Sequence, residues 1–199
     1  MPLREVLVVG DTQSLPKGLL KKALVKIDAM SYFSSDSAVV AKLENTGWIR
    51  SVKVKRQYPG RWWLFFTVRK PIMQVVDAQR MLDEDGTLMR VKPEKCHVSL
   101  PKVYAPDEQI KQVYMFWKSI SSYNHAWLQR LRVVRYHQHS GWELEFNGNI
   151  KLKLGFVALS KRLQRFLLVA DKWHSYADAS NQVFDFRYKN AFSHKKNSG

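Results

Sequence analysis

Residues 49–69 alternate in character. Val52 and Val54 fall on one side while Ser51, Lys53 and Lys55 fall on the other. Beyond Tyr58-Pro59-Gly60 the alternation resumes, with Trp62, Leu64, Phe66 and Val68 set against Trp63, Phe65, Thr67 and Arg69. A period of two is the period of a strand, so the stretch predicts a hairpin with one core face, stopped at Lys70-Pro71. Upstream, the β-branched run from Val6 to Val9 predicts a strand that ends at Gly10. Ser14-Leu-Pro-Lys then opens a helix with Leu19, Leu20, Ala23 and Leu24 on one face. Ser34-Ser-Asp-Ser offers caps for a second helix, which carries Val39, Val40 and Leu43. The first part of the chain therefore reads β-α-α-β-β.

The pattern changes after Pro71. Leu82 to Leu88 predicts two strands around the acidic turn Asp83-Glu-Asp-Gly86. Asp83, Asp85 and Gly86 match the opening of a calcium loop, but its later bidentate carboxylate is missing. Leu100-Pro101 and Ala105-Pro106 punctuate a loop, and Ile110, Val113, Tyr114, Trp117 and Ile120 then form a helical stripe. Strands follow at Leu128 to His139, Trp142 to Asn147 and Ile150 to Leu154, the last two joined by the hairpin signal Asn147-Gly148-Asn149. Leu159, Leu163, Phe166, Leu167 and Ala170 mark another helix. Val183 to Tyr188 reads as a late strand, and His194 to Gly199 as a frayed polar end. The fold class is α+β, with mainly antiparallel strands and two packed helices in the second half.

A chain of 199 residues with 45% hydrophobic content can bury a core and suits two small domains. Its 33 basic and 17 acidic residues leave a net charge of +16, which attracts phosphate, anionic lipid headgroups or acidic proteins. Cys96 is the only cysteine, so no internal disulfide or cysteine-rich zinc site is expected. No run approaches the ~20 apolar residues of a membrane helix, and the N-terminal MPLREVLVVG lacks the long apolar segment of a secretory signal.

Phosphate-loop, zinc-protease and nucleophile-elbow motifs are absent. His137 and His139 could reach one metal ion from alternate strand positions, but no third ligand accompanies them. Cys96 and His97 are neighbours on an extended chain, where side chains point apart. No catalytic, cofactor or metal site is expected. The basic hairpin has two readings. Its lysine stems can pack across Trp63 and Phe65 as scaffold, or bases can stack on those rings while Lys53, Lys55 and Arg61 pair with phosphates. The second reading makes residues 48–71 a nucleic-acid-binding module.

The order of these signals resembles the extracytoplasmic part of the bacterial cell-division family FtsQ/DivIB. The resemblance runs through Val6-Leu-Val-Val-Gly10, Phe33-x-x-Asp36, Leu43, Trp48-Ile-Arg-Ser-Val-Lys-Val54, Tyr58-Pro59 and Lys70-Pro71. It continues through Leu82-Asp-x-x-Gly86, Leu100-Pro101, Asn147-Gly148, Leu154-Gly155 and Asp185-Phe-Arg-Tyr188, over nearly the whole chain. It implies a POTRA domain at 1–72, the family's β-domain at 73–193 and a disordered basic tail at 194–199.

It implies also a non-catalytic scaffold that binds small coiled-coil partners of the FtsB and FtsL type, helps recruit septal peptidoglycan synthesis, and has no need of nucleic acid. The family's place is the bacterial inner membrane at the septum, single-pass, with this region in the periplasm. The membrane helix of relatives lies just upstream of the position of Leu3 to Val9, so the expectation is a truncated ectodomain whose anchor is absent from this chain. Partner binding in the family uses the strand bearing the Asp-Leu-Arg-Tyr motif and the segment after it. That implies Arg187, Tyr188, Asn190, Ala191 and Phe192 as contact residues, Arg187 for an acidic partner group and Tyr188 as an aromatic anchor. Two positions depart from the family pattern. Ala191 stands where glycine is usual, and no tryptophan lies near Lys195 and Lys196.

Overall fold

The computed structural model describes residues 5–11, 15–16, 18–31, 33–91, 99–123, 125–170, 182–189 and 191–196. It is a mixed α+β structure whose internal contacts divide the chain in two: Met1–Ile72 with Arg80–Ser99, and Met73–Gln79 with Leu100–Gly199.

The first unit begins β1 (Glu5–Val9), α1 (Leu19–Asp28), α2 (Asp36–Glu44), β2 (Ile49–Gln57) and β3 (Arg61–Val68), the expected order. Its sheet runs β1-β3-β2, with β1 parallel and β2 antiparallel to β3. The alternation read from residues 49–69 is observed: Trp62, Leu64, Phe66 and Val68 are buried, while Lys53, Lys55, Phe65 and Thr67 are exposed. On the helix side, Ala23 and Ile27 of α1 and Val39 and Leu43 of α2 are buried. Ser35 caps α2 by accepting a hydrogen bond from the Ala38 amide at 3.3 Å. Arg56 ties the same helix start to the sheet, with Nη2 2.5 Å from Asp36 Oδ1 and its guanidinium 5.3 Å from the Trp62 ring centroid. α1 differs from expectation at its start. Its N-cap is Gly18, without a side-chain cap bond, and Ser14 lies outside the described residues.

The chain next forms β4 (Pro71–Val75), β5 (Arg80–Asp83) and β6 (Leu88–Met89). The β5–β6 pair belongs to the first unit and is the expected pair around the acidic turn. Asp83 is fully buried there, accepting from the Asp85 and Thr87 amides at 3.1 and 2.8 Å and from Arg69 Nη1 at 2.6 Å. β4 was hidden from sequence reasoning by its proline.

The second unit continues with β7 (Lys102–Tyr104), α3 (Asp107–Ser121), α4 (Ala126–Gln129), β8 (Leu131–His137), β9 (Gly141–Phe146), β10 (Ile150–Gly155), α5 (Leu159–Ala170), β11 (Gln182–Asp185) and β12 (Ser193–Lys196). Within this unit the strand order is β12-β11-β10-β9-β8-β7-β4. Neighbours joined by tight turns are antiparallel, as β8/β9 and β9/β10 are. Parallel pairs occur also, because the β7/β8 and β10/β11 connections carry helices, and a parallel pair needs such a crossover.

Five expectations are corrected here. The prolines around residue 103 bracket a short strand and not only a loop. Residues 126–129 form a helical turn, so the strand expected from Leu128 begins at Leu131. The strand expected to reach Tyr188 ends at Asp185, and His194 to Lys196, expected to fray, lie in β12. α3 buries Phe116 alongside Ile110, Val113 and Ile120, with Trp117 half-buried. Among the described residues no helix is long and apolar enough to cross a membrane.

Candidate functional site

The C-terminal strands owe their position to α5. Its buried stripe of Leu159, Leu163, Phe166, Leu167 and Ala170 is the one its spacing predicts. Phe166 sits among Phe146, Trp127, Phe184 and Phe186, with ring centroids 5.5, 5.6, 5.4 and 6.0 Å away. That packing orients Arg162 and Arg165, one turn apart, toward the segment that follows β11.

Phe186 N–H still donates to the Lys153 carbonyl of β10 at 2.9 Å, but beyond it the backbone leaves the ladder and its groups must find other partners. The two arginines supply them. Arg162 donates from Nη1 to the Leu154 carbonyl and from Nη2 to the Arg187 carbonyl at 2.7 Å. Arg165 donates from Nη1 to the carbonyls of Tyr188 and Lys189 at 3.2 and 3.0 Å, and from Nη2 to that of Ala191 at 3.1 Å. Its guanidinium also lies 5.4 Å from the centroid of the buried Phe186 ring. Gly155 makes room beneath. It has a φ of 74°, and a Cβ there would sit 2.9 Å from Arg162 Nη1 and 3.2 Å from Arg187 Cγ.

Arg187 is already engaged within the chain. Its Nε lies 2.9 and 3.0 Å from the two Asp185 carboxylate oxygens, and its Nη2 is 2.5 Å from Oδ2. Burial works to raise the Asp185 pKa, but hydrogen bonds and charge from Arg187 outweigh it and hold the carboxyl below its ordinary value. The hydrogen bond that Arg187 donates to Asp185 raises the Arg187 pKa in turn. The guanidinium expected to wait for a partner's acid thus already braces the end of β11.

Of the remaining expected contact residues, Tyr188 is 57% exposed, and Ala191 is exposed with its carbonyl held by Arg165. Phe192, 37% exposed, stacks on Phe186 with centroids 4.8 Å apart. Asn190 lies outside the described residues. Tyr188, Ala191 and Phe192 precede β12 in the chain; β12 is the last strand in the sheet order, pairs antiparallel with β11 and has all four residues exposed. His194 is tied to the core by stacking on Phe184 at 4.8 Å, and burial lowers its pKa.

The edge strand itself and the Arg162/Arg165 clamp were missed in the sequence. Ser193-His-Lys-Lys196 has no apolar alternation, and nothing in the spacing of two helix arginines says that they will cap distant carbonyls.

The residues of the nucleic-acid reading also share a surface. Across β2 and β3, Lys53 stands opposite Phe65 and Lys55 opposite Trp63, with Arg61 at the end paired to Glu5 at 2.9 Å. His137 and His139 do not share strand positions, because β8 ends at His137 and His139 lies in the following turn. Among the described residues no group of three metal-ligating side chains gathers. Cys96 and His97 lie outside the described residues.

The C-terminal model of the cell division protein family FtsQ/DivIB matches residues 72–187, which is more than half of the chain. The match includes α5 and β11 and stops at Arg187, before β12. The chain is 22% identical over 193 residues to the cell division protein FtsQ of Vibrio cholerae, covering 94% of this chain and 72% of that protein. It is 25% identical to FtsQ of Actinobacillus pleuropneumoniae over 84% of this chain and 74% of the relative. For FtsQ of Escherichia coli K12 the identity is 23%, over 84% of this chain and 62% of the relative. On the strength of the family match, the chain belongs to the FtsQ/DivIB family of cell division proteins.

Proposed function

We propose that the protein is a non-catalytic scaffold of the division machinery whose C-terminal edge accepts a strand from a small coiled-coil partner of the FtsB or FtsL type. In this reading residues 1–72 form a POTRA domain and residues 73–193 the family's β-domain. The protein acts from the periplasmic side of the inner membrane at the septum, held by an N-terminal membrane helix, and helps recruit septal peptidoglycan synthesis.

The observation that carries the reading is the exposed edge strand β12, held in place and preceded in the chain by the exposed Tyr188. An edge strand presents unpaired N–H and C=O groups, and an incoming strand satisfies them by continuing the sheet. Lys195 and Lys196 discourage indiscriminate pairing, because a lysine-bearing edge repels a second copy of itself and favours an acidic strand. Tyr188 supplies an aromatic anchor beside that edge. Arg187 contributes by bracing β11 through Asp185, a positioning role in place of direct pairing with the partner.

Calorimetric titration with the periplasmic coiled-coil segment of the bacterium's own FtsB-type protein tests the proposal. Binding is expected to weaken by about 2 kcal/mol or more in Tyr188→Ala, the range of an aromatic anchor at an interface. Unaltered binding in that variant removes the terminal segment from the contact. No binding to the unaltered protein refutes the scaffold reading itself.

A further inference from the structure

The sheet of the first unit has two unlike faces. One is covered, with Trp62, Leu64 and Phe66 buried on it. On the other, Leu7, Trp63 and Lys55 lie side by side across the three strands, and Val9, Phe65 and Lys53 form the next row. Val9 and Phe65 are each 40% exposed, and Leu7 and Trp63 are half-buried. Lys53 and Lys55 are exposed. Arg50 pairs with Asp85, Arg56 with Asp36, Arg61 with Glu5 and Arg69 with Asp83, and none of these ion pairs engages either lysine. Water alone requires no such face. An apolar row edged by cations in a chain of net charge +16 calls for a negative surface with an apolar layer behind it.

We propose that this face docks on an anionic lipid bilayer. Lys53 and Lys55 reach the headgroup phosphates while Leu7, Val9, Trp63 and Phe65 settle at the boundary with the acyl chains. Tryptophan favours that boundary because its ring is apolar and its N–H is polar. Here Trp63 Nε1 donates to Gln57 Oε1 at 3.1 Å, toward the polar rim. Lysine near an anionic membrane adds attraction that salt screens. The aliphatic pair Leu7 and Val9 favours lipid over a single-stranded nucleic acid. Stacking of bases uses rings and gains little from branched aliphatic side chains, whereas a bilayer boundary accepts both.

Flotation with vesicles of phosphatidylcholine containing roughly a third phosphatidylglycerol tests this, with pure phosphatidylcholine vesicles and a single-stranded oligonucleotide beside them. The protein is expected to float with the anionic vesicles only. Lys53→Gln/Lys55→Gln should bind them roughly thirtyfold more weakly, from the usual contribution of two lysines near such a surface. Lys111→Gln/Lys118→Gln removes the same charge from the exposed side of α3 and should change binding by less than about threefold. Trp63→Ser, checked by its melting curve, should weaken binding even at high salt. Equal losses in the two double variants would reduce the effect to net charge and overturn the proposal. So would oligonucleotide binding that depends on Lys53 and Lys55 without vesicle binding. The partner titration of β12 is independent of these lysines and distinguishes failure here from failure of the scaffold reading.

Discussion

The hairpin β2–β3 and the pair β11–β12 are both antiparallel strand pairs that carry lysines and aromatic rings, yet they are held in opposite ways. In the hairpin, Trp62, Leu64, Phe66 and Val68 bury alternate side chains, so burial and backbone pairing hold the same residues in place. In β12 none of the four side chains is buried. Its order comes from β11 on one side, from the Phe186–Phe192 and Phe184–His194 stacks, and from the arginines of α5 on the connecting backbone. A strand held from outside keeps its free edge available, and it depends on groups far away in the chain. That is a useful arrangement for docking, and it makes the pair β11–β12 the more fragile of the two.

Removing the common support should have the largest effect. Phe166→Ala takes out the ring around which Phe146, Trp127, Phe184 and Phe186 gather, and should cost about 3–5 kcal/mol in denaturant unfolding of the second unit. The hairpin β2–β3 is expected to keep its amide protection in that variant under native conditions, since its core residues belong to the first unit.

Arg165→Ala should separate the two pairs more cleanly. It removes three donated hydrogen bonds to the carbonyls of Tyr188, Lys189 and Ala191, for a loss of about 1–2 kcal/mol that is local to residues 186–196. Amide exchange should quicken at β12 and stay unchanged in β2 and β3. Arg165→Lys should recover only part of the protection, because one ammonium cannot reproduce the planar fork.

Acid should act in the same place more gently. The pKa of His194 is lowered by burial, so the unfolded segment binds a proton more readily than the folded one. The segment keeps its full stability above the unfolded value of about 6.5 and loses stability as pH falls from there through the lower folded value. Asp185 follows the same sign at lower pH. Its contribution is present above about 4 and is lost as pH falls through its depressed folded value. Exchange at β12, corrected for intrinsic rates, should therefore quicken as pH falls below about 6.5, and His194→Asn should flatten that dependence. The smallest effect belongs to the hairpin surface. Lys53→Ala should change unfolding stability by less than about 0.5 kcal/mol, as expected for an exposed side chain on the sheet surface.

The same contrast explains how much could be read beforehand. The hairpin, the two long helices of the second half and the β9–β10 turn were legible, because burial there follows a period of two or 3.6 and Asn147-Gly148-Asn149 marks a turn with positive φ at Gly148 and Asn149. β7 was missed because three residues between prolines carry almost no period, and its place in the sheet comes from pairing with β4 and β8. At the candidate site, Tyr188 and Phe192 were named through the family resemblance; both are exposed and precede β12 in the chain. For Arg187, only the fold reveals that Asp185 holds its guanidinium within the chain. The edge itself, with its lysines and its distant clamp, has a sequence like that of a frayed tail. Its order comes from tertiary contacts alone.

The most direct measurement is amide hydrogen exchange of the whole chain with and without the coiled-coil segment of its FtsB-type partner. The account predicts new protection in Ser193–Lys196 that disappears in Tyr188→Ala, with no change in the strands of the first unit. Protection that falls instead on residues 49–68, with β12 exchanging as before, would contradict it and move the partner site to the basic hairpin.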